Sequence, residues 1–137
     1  MIDQLVRYLA SNCGRMFPGW TNQDMRDYVM FHVSNDTLVY TSEEYSITGL
    51  LIAWRQSTPT LEPWTWQRND RFGRFVWVDH FIAKTSEVAM QLFDLIMSRW
   101  GWWKCSVAGV RKGIDRVYKP STVKRLLTKS KDIYGKH

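Results

Sequence analysis

Apolar side chains near the start of the chain fall at Ile2, Leu5, Val6 and Leu9, the spacing of one helix face. This predicts a helix over residues 2–11, closed near Gly14, where a glycine readily takes the left-handed conformation of a helix end. "FPGWTNQD" reads as a turn. Thr21 followed by Asp24 has the spacing of a capping box, in which each residue's side chain satisfies the other's backbone N–H. The helix that this box opens presents Met25, Tyr28, Val29, Phe31 and His32. "TLVYTS" and "ITGLLIAWRQ" switch to strand character around the tight turn "EEYS" and predict a hairpin. Gly49 inside the second strand marks a bulge or a close backbone approach.

The stretch 57–73, "STPTLEPWTWQRNDRFG", is the longest irregular segment and carries Trp64 and Trp66. A loop of this length is either functional or folded over a sheet edge. "FVWVDHFIA" (75–83) is apolar on both alternating faces, as expected of a central strand covered on both sides. Strict alternation sends Phe75, Trp77, Asp79 and Phe81 one way, and Val76, Val78, His80 and Ile82 the other. The stripe Val88, Ala89, Leu92, Phe93, Ile96, Met97 and Trp100 predicts a helix over 87–100, with Thr85 or Ser86 as its cap and Gly101 as its stop. "WWKCSVAGVR" reads as a further strand. "YKPSTVKRLLTK" reads as a closing helix, with Pro120 in its first turn. The expected architecture is one α+β domain over residues 1–137. Its sheet is mixed and largely antiparallel, with helices on both faces and a C-terminal β-α-β-α unit.

Composition narrows the class. The 137 residues are 45% hydrophobic and include 8 Trp, which describes a folded chain with a real core. No apolar run reaches the roughly 20 residues that span a bilayer, so no transmembrane segment is expected. The first residues lack the pattern of a secretory signal. Cys13 and Cys105 lie far apart, as buried thiols of a cytoplasmic protein would. Of the net charge of +6, residues 111–137 carry a surplus of seven positive charges and the remainder nets one negative. The segment Arg111–Lys131 is thus either a contact for an anionic partner, which is nucleic acid, a membrane surface or a phosphorylated cofactor, or a solvated face. Its basic residues are not interleaved with aromatics, as a stacking groove would require. His32, His80, Cys13 and Cys105 show no metal-ligand spacing, and no metal is expected.

Asp79 is the one carboxylate inside the central strand. Among Phe75, Trp77 and Phe81 it has two readings. It acts as a general base whose pKa its surroundings raise, or it is a hydrogen-bonded tie between a loop and the sheet. His80, on the opposite face of a regular strand, reads as a core histidine.

The order of elements, with a central strand feeding a capped helix, resembles the GNAT superfamily of acyl-CoA-dependent acyltransferases over nearly the whole chain. "VWVDHFIA" is similar to the central-strand segment of one branch, the toxin-activating lysine acyltransferases, with Asp79 at the matching position. The resemblance implies a sheet that splays beside the central strand and an acetyl-CoA or acyl-CoA cofactor in the gap. It implies phosphates on the helix start at Lys84, Thr85 and Ser86, catalysis through Asp79, and Trp54 and Trp77 lining the cleft. "AKTSEVAM" contains no glycine, and "SNCGRMF" lacks the histidine that this branch carries after its first helix. Those departures point to a degenerate member, of a kind found among phage-encoded proteins. Such a protein serves as a non-catalytic structural or host-factor-inhibiting module with a protein partner, in the cytoplasm or associated with a virion. The alternatives are a small N-acyltransferase and a basic nucleic-acid-binding protein.

Overall fold

The computed structural model describes residues 1–13, 19–60, 69–111 and 113–129. Helices α1 (Ile2–Cys13) and α2 (Asn22–Ser34) precede strands β1 (Leu38–Glu43), β2 (Ser46–Gln56) and β3 (Phe75–Ala83). Helix α3 (Ser86–Trp100), strands β4 (Ser106–Arg111) and β5 (Ile114–Tyr118) and helix α4 (Pro120–Lys129) follow. The strands lie in the order β1-β2-β3-β4-β5, antiparallel except for the parallel pair β3–β4. The chain is therefore an α+β protein with a mixed, largely antiparallel sheet and β3 at its centre.

Each face of the sheet has its own core. Val76, Val78, Phe81 and Ala83 pack with α3 and with Val123 and Leu127 of α4. Trp77, Ile82, Leu50, Ile52 and Trp54 pack beneath α1 and α2, against Leu5, Leu9, Met25, Tyr28 and Val29. The apolar run of β3 is explained by this double coverage, since neither face reaches water.

Local chemistry sets the ends of the elements. Thr21 and Asp24 form the predicted capping box, with the Asp24 N–H 3.1 Å from the Thr21 hydroxyl and the Thr21 N–H 2.8 Å from the Asp24 carboxylate. Thr85 caps α3, and Gly101 ends it in the left-handed conformation. Glu44 and Tyr45 form the two-residue turn between β1 and β2, both at positive φ. Gly49 answers both sequence expectations at once. The β1–β2 register shifts beside it, and α3 packs directly on it. A methyl group there would stand 2.6 Å from Val88 Cγ1 and 2.7 Å from Leu92 Cδ1.

Three expectations change. The segment beginning at Trp102 is not strand throughout: Trp102–Lys104 form a short 3₁₀ turn, and β4 starts at Ser106. A strand absent from the sequence reading, β5, pairs antiparallel with β4 before α4 begins. The alternation of β3 is also interrupted. Ile52 of β2 pairs with His80 and Ala53 pairs with Val78, so Asp79 is an extra residue in a β-bulge. Past that point every side chain changes face, which is why Phe81 joins Val76 and Val78 rather than Trp77. Gly14, Trp64 and Trp66 lie outside the described residues.

Candidate functional site

The bulge brings Asp79 and His80 to the same side of the sheet, beneath α1 and α2. The expectation that they face opposite ways fails for this reason. His80 Nε2 lies 3.6 Å from Asp79 Oδ2, and their side chains are 4% and 11% exposed. The Tyr28 hydroxyl, arriving from α2, donates to Asp79 Oδ2. The Trp77 indole N–H donates to Oδ1 at 3.3 Å. Both carboxylate oxygens therefore hold protein donors.

An aromatic shell fixes Tyr28. Its ring meets His32 edge-on at 4.7 Å and His80 at 5.9 Å. His32 stacks on Trp54 at 5.3 Å, and its Nδ1 lies 2.7 Å from the Thr37 hydroxyl. Burial, then the neighbouring Asp79 charge and hydrogen bond, holds the Tyr28 phenol well above its ordinary pKa. Burial first, and Asp79 second, pushes the Cys13 thiol up to about 11. Burial also raises Tyr8, with Cys13 contributing. The acids around Asp79 thus keep their protons at neutral pH. Cys13 in particular is a buried, protonated thiol, whereas thiol nucleophiles act as thiolates.

Asp79 also marks the end of a ladder. β3 and β4 pair from Phe75–Ser106 to Val78–Gly109, and both strands continue past that point without a further pair among the described residues. Among the described residues, 80–83 of β3 are paired only with β2, and Asp79 is the unpaired bulge residue.

Lys84, Thr85 and Ser86 follow at the carboxyl end of β3. The Lys84 N–H donates to Thr48 O at 2.9 Å. The Thr85 hydroxyl accepts the Val88 N–H at 3.2 Å. One of the N–H groups that would face an anion at this helix start is thereby already engaged. Glu87 stands in the same first turn. Lys84 reaches the lip of a small cleft of about 260 Å³ that it shares with Tyr8, Asn12, Ile47, Ile82 and Ala83. Asp79 does not line this cleft. Trp54 and Trp77 do not line it either. Both are core residues, 0% and 2% exposed.

In the basic segment, β5 is exposed from Ile114 to Val117, while Lys112 and residues 130–137 lie outside the described residues. Lys124 is not a free cation. Its Nζ lies 3.0 Å from Asp94 Oδ1 of α3 and 4.4 Å from the centre of the Trp103 ring. Among the described residues no group of three His, Cys, Asp or Glu is placed to hold a metal ion, and no helix is long and apolar enough to cross a membrane.

Tyr28 is the residue that sequence reasoning missed in this site. Its place in the apolar stripe of α2 was visible, but its phenol is 51 positions from the carboxylate it binds. The sequence matches no known family model and no curated protein.

Proposed function

We propose that this chain is a non-catalytic interaction module on a GNAT-like framework. The observation that supports this best is the state of Asp79, whose two oxygens are engaged by Tyr28 and Trp77. A general base must accept a proton from substrate at hydrogen-bond distance. Here that would require displacing a buried phenol from the carboxylate. The engaged start of α3 and the carboxylate of Glu87 weigh in the same direction. The edge strand β5 supports a protein partner. Among the described residues it is hydrogen-bonded on one side only and exposes Ile114 and Val117, and an open edge accepts an added extended segment. In this reading the partner is a host factor or a virion component.

A second reading, a small acyl-CoA-dependent N-acyltransferase, draws on one specific observation. The β3–β4 ladder stops at Val78–Gly109, and in the GNAT resemblance the pantetheine arm of the cofactor occupies such a gap.

Calorimetric titration with acetyl-CoA and longer acyl-CoA separates the two. The interaction module is expected to give no acyl-CoA binding that depends on Lys84 and no acyl transfer. Saturable binding that Lys84→Glu weakens, together with transfer that Asp79→Asn slows far more than it weakens binding, would overturn it in favour of the enzyme.

A further inference from the structure

At the amino end of β4, opposite the end of the sheet where Lys84 lies, the fold builds a second cleft of about 510 Å³. The 3₁₀ turn after α3 supplies Trp103 and Lys104, and β4 supplies Ser106. Tyr118 pairs with Val107, so the chain leaving β5 returns beside β4. That return delivers Lys119, Ser121 and Lys124 to the opposite wall.

Three lysines therefore line one concave surface. Asp94 offsets one of them through Lys124, while Lys104 and Lys119 are exposed. Like charges converging on a cleft raise its potential and favour an anionic occupant. Trp103 is 39% exposed at the cleft, with Lys124 Nζ over one part of its ring and the rest of the indole beside Lys104. Two hydroxyls, Ser106 and Ser121, stand among the lysines as hydrogen-bond donors. The volume falls within the usual range for small-molecule pockets.

We infer that this cleft binds a nucleotide, with its phosphate held between the exposed Lys104 and Lys119 and its base laid against the part of Trp103 that Lys124 leaves open. Lysines supply point charges for the phosphate. An indole accepts any base, because every base has a π face. The ammonium groups carry the charge complementarity, and the first turn of α4 forms part of the wall that holds them. Trp103 and Lys104 are adjacent on the 3₁₀ turn, and Lys119 and Lys124 reach them only through the β4–β5 hairpin. The shared chemistry is a phosphorylated nucleoside, whether free or at the 5′ end of a single strand.

The test is calorimetry on the full chain at low salt. Its probes are AMP, adenosine, inorganic phosphate, and hexathymidylate with and without a 5′-phosphate. A phosphorylated probe is expected to bind saturably, with adenosine and phosphate each about tenfold weaker than AMP. The double variant Lys104→Glu/Lys119→Glu changes exposed side chains only. It should lower affinity by about tenfold or more while leaving the thermal midpoint in place. Trp103→Leu should weaken AMP but not phosphate. Binding of the 5′-phosphorylated strand well above AMP identifies a strand end as the source, and AMP equal to or above it identifies the free nucleotide. No saturable binding of either phosphorylated probe would overturn the inference. So would AMP affinity unchanged in the double variant, or AMP bound no better than phosphate.

Discussion

Asp79 and His80 are neighbours in the chain and neighbours in space, with Nε2 3.6 Å from Oδ2 on one side of β3. Regular strand geometry forbids this, because successive side chains alternate faces. The bulge permits it and makes Asp79 the one residue of the strand that the sheet does not need for register. Deleting Asp79 should leave a regular strand with Val78 still facing α3 and Ile82 still facing α1. A cooperative fold is expected, weakened by about 1–3 kcal/mol because Tyr28 loses its acceptor. Deleting Val78 instead would send the Asp79 carboxylate into the α3 core, and that variant should not fold. Chemical denaturation followed by near-ultraviolet circular dichroism distinguishes the two outcomes. Equal damage from both deletions would contradict the bulge.

The approach of α3 to β2 depends on Gly49. The added methyl group of Gly49→Ala would meet Val88 and Leu92 well inside contact distance. A loss of about 1–3 kcal/mol is expected, as for other overpacked cores. Urea denaturation measures it, and a neutral substitution would mean that α3 does not sit on the strand.

Much of this fold was legible in local chemistry. Thr21 and Asp24 announce their helix because capping is a contact between residues three apart. The stripe from Val88 to Trp100 is legible because a helix repeats its burial every turn. β3 was recognisable as central by being apolar on both faces, and that same property concealed the bulge. When both faces are apolar, a one-residue change of phase leaves no mark on the hydrophobic pattern. β5 was missed for the opposite reason: Ile114 to Val117 are exposed, so burial imposes no pattern on them. Tyr28 with Asp79, and Trp103 with Lys124, are tertiary pairings, and periodicity carries no information about which distant side chains meet.

Alkaline pH gives a further test. The Cys13 thiol rises from 9.0 to about 11 on folding. An acid whose pKa is raised in the folded state holds its proton there while the unfolded chain releases it. The stabilisation is therefore complete below pH 9 and is lost progressively as pH climbs from 9 towards 11. Tyr28, raised further, adds to the loss above pH 10. Wild-type stability should fall across pH 9–11, and Cys13→Ala should flatten the first part of that fall. Identical pH profiles for the two proteins would show that the thiol is not buried beside Asp79.

The most direct test of the assignment of Asp79 is a double-mutant cycle with Tyr28, measured by equilibrium urea denaturation of wild type, Asp79→Asn, Tyr28→Phe and the double variant. If Asp79 ties the sheet to α2, the single losses are not additive, and a coupling of about 1–3 kcal/mol separates them from the double variant. Strict additivity, with Asp79→Asn as stable as wild type, would leave the carboxylate free for chemistry and contradict the structural role.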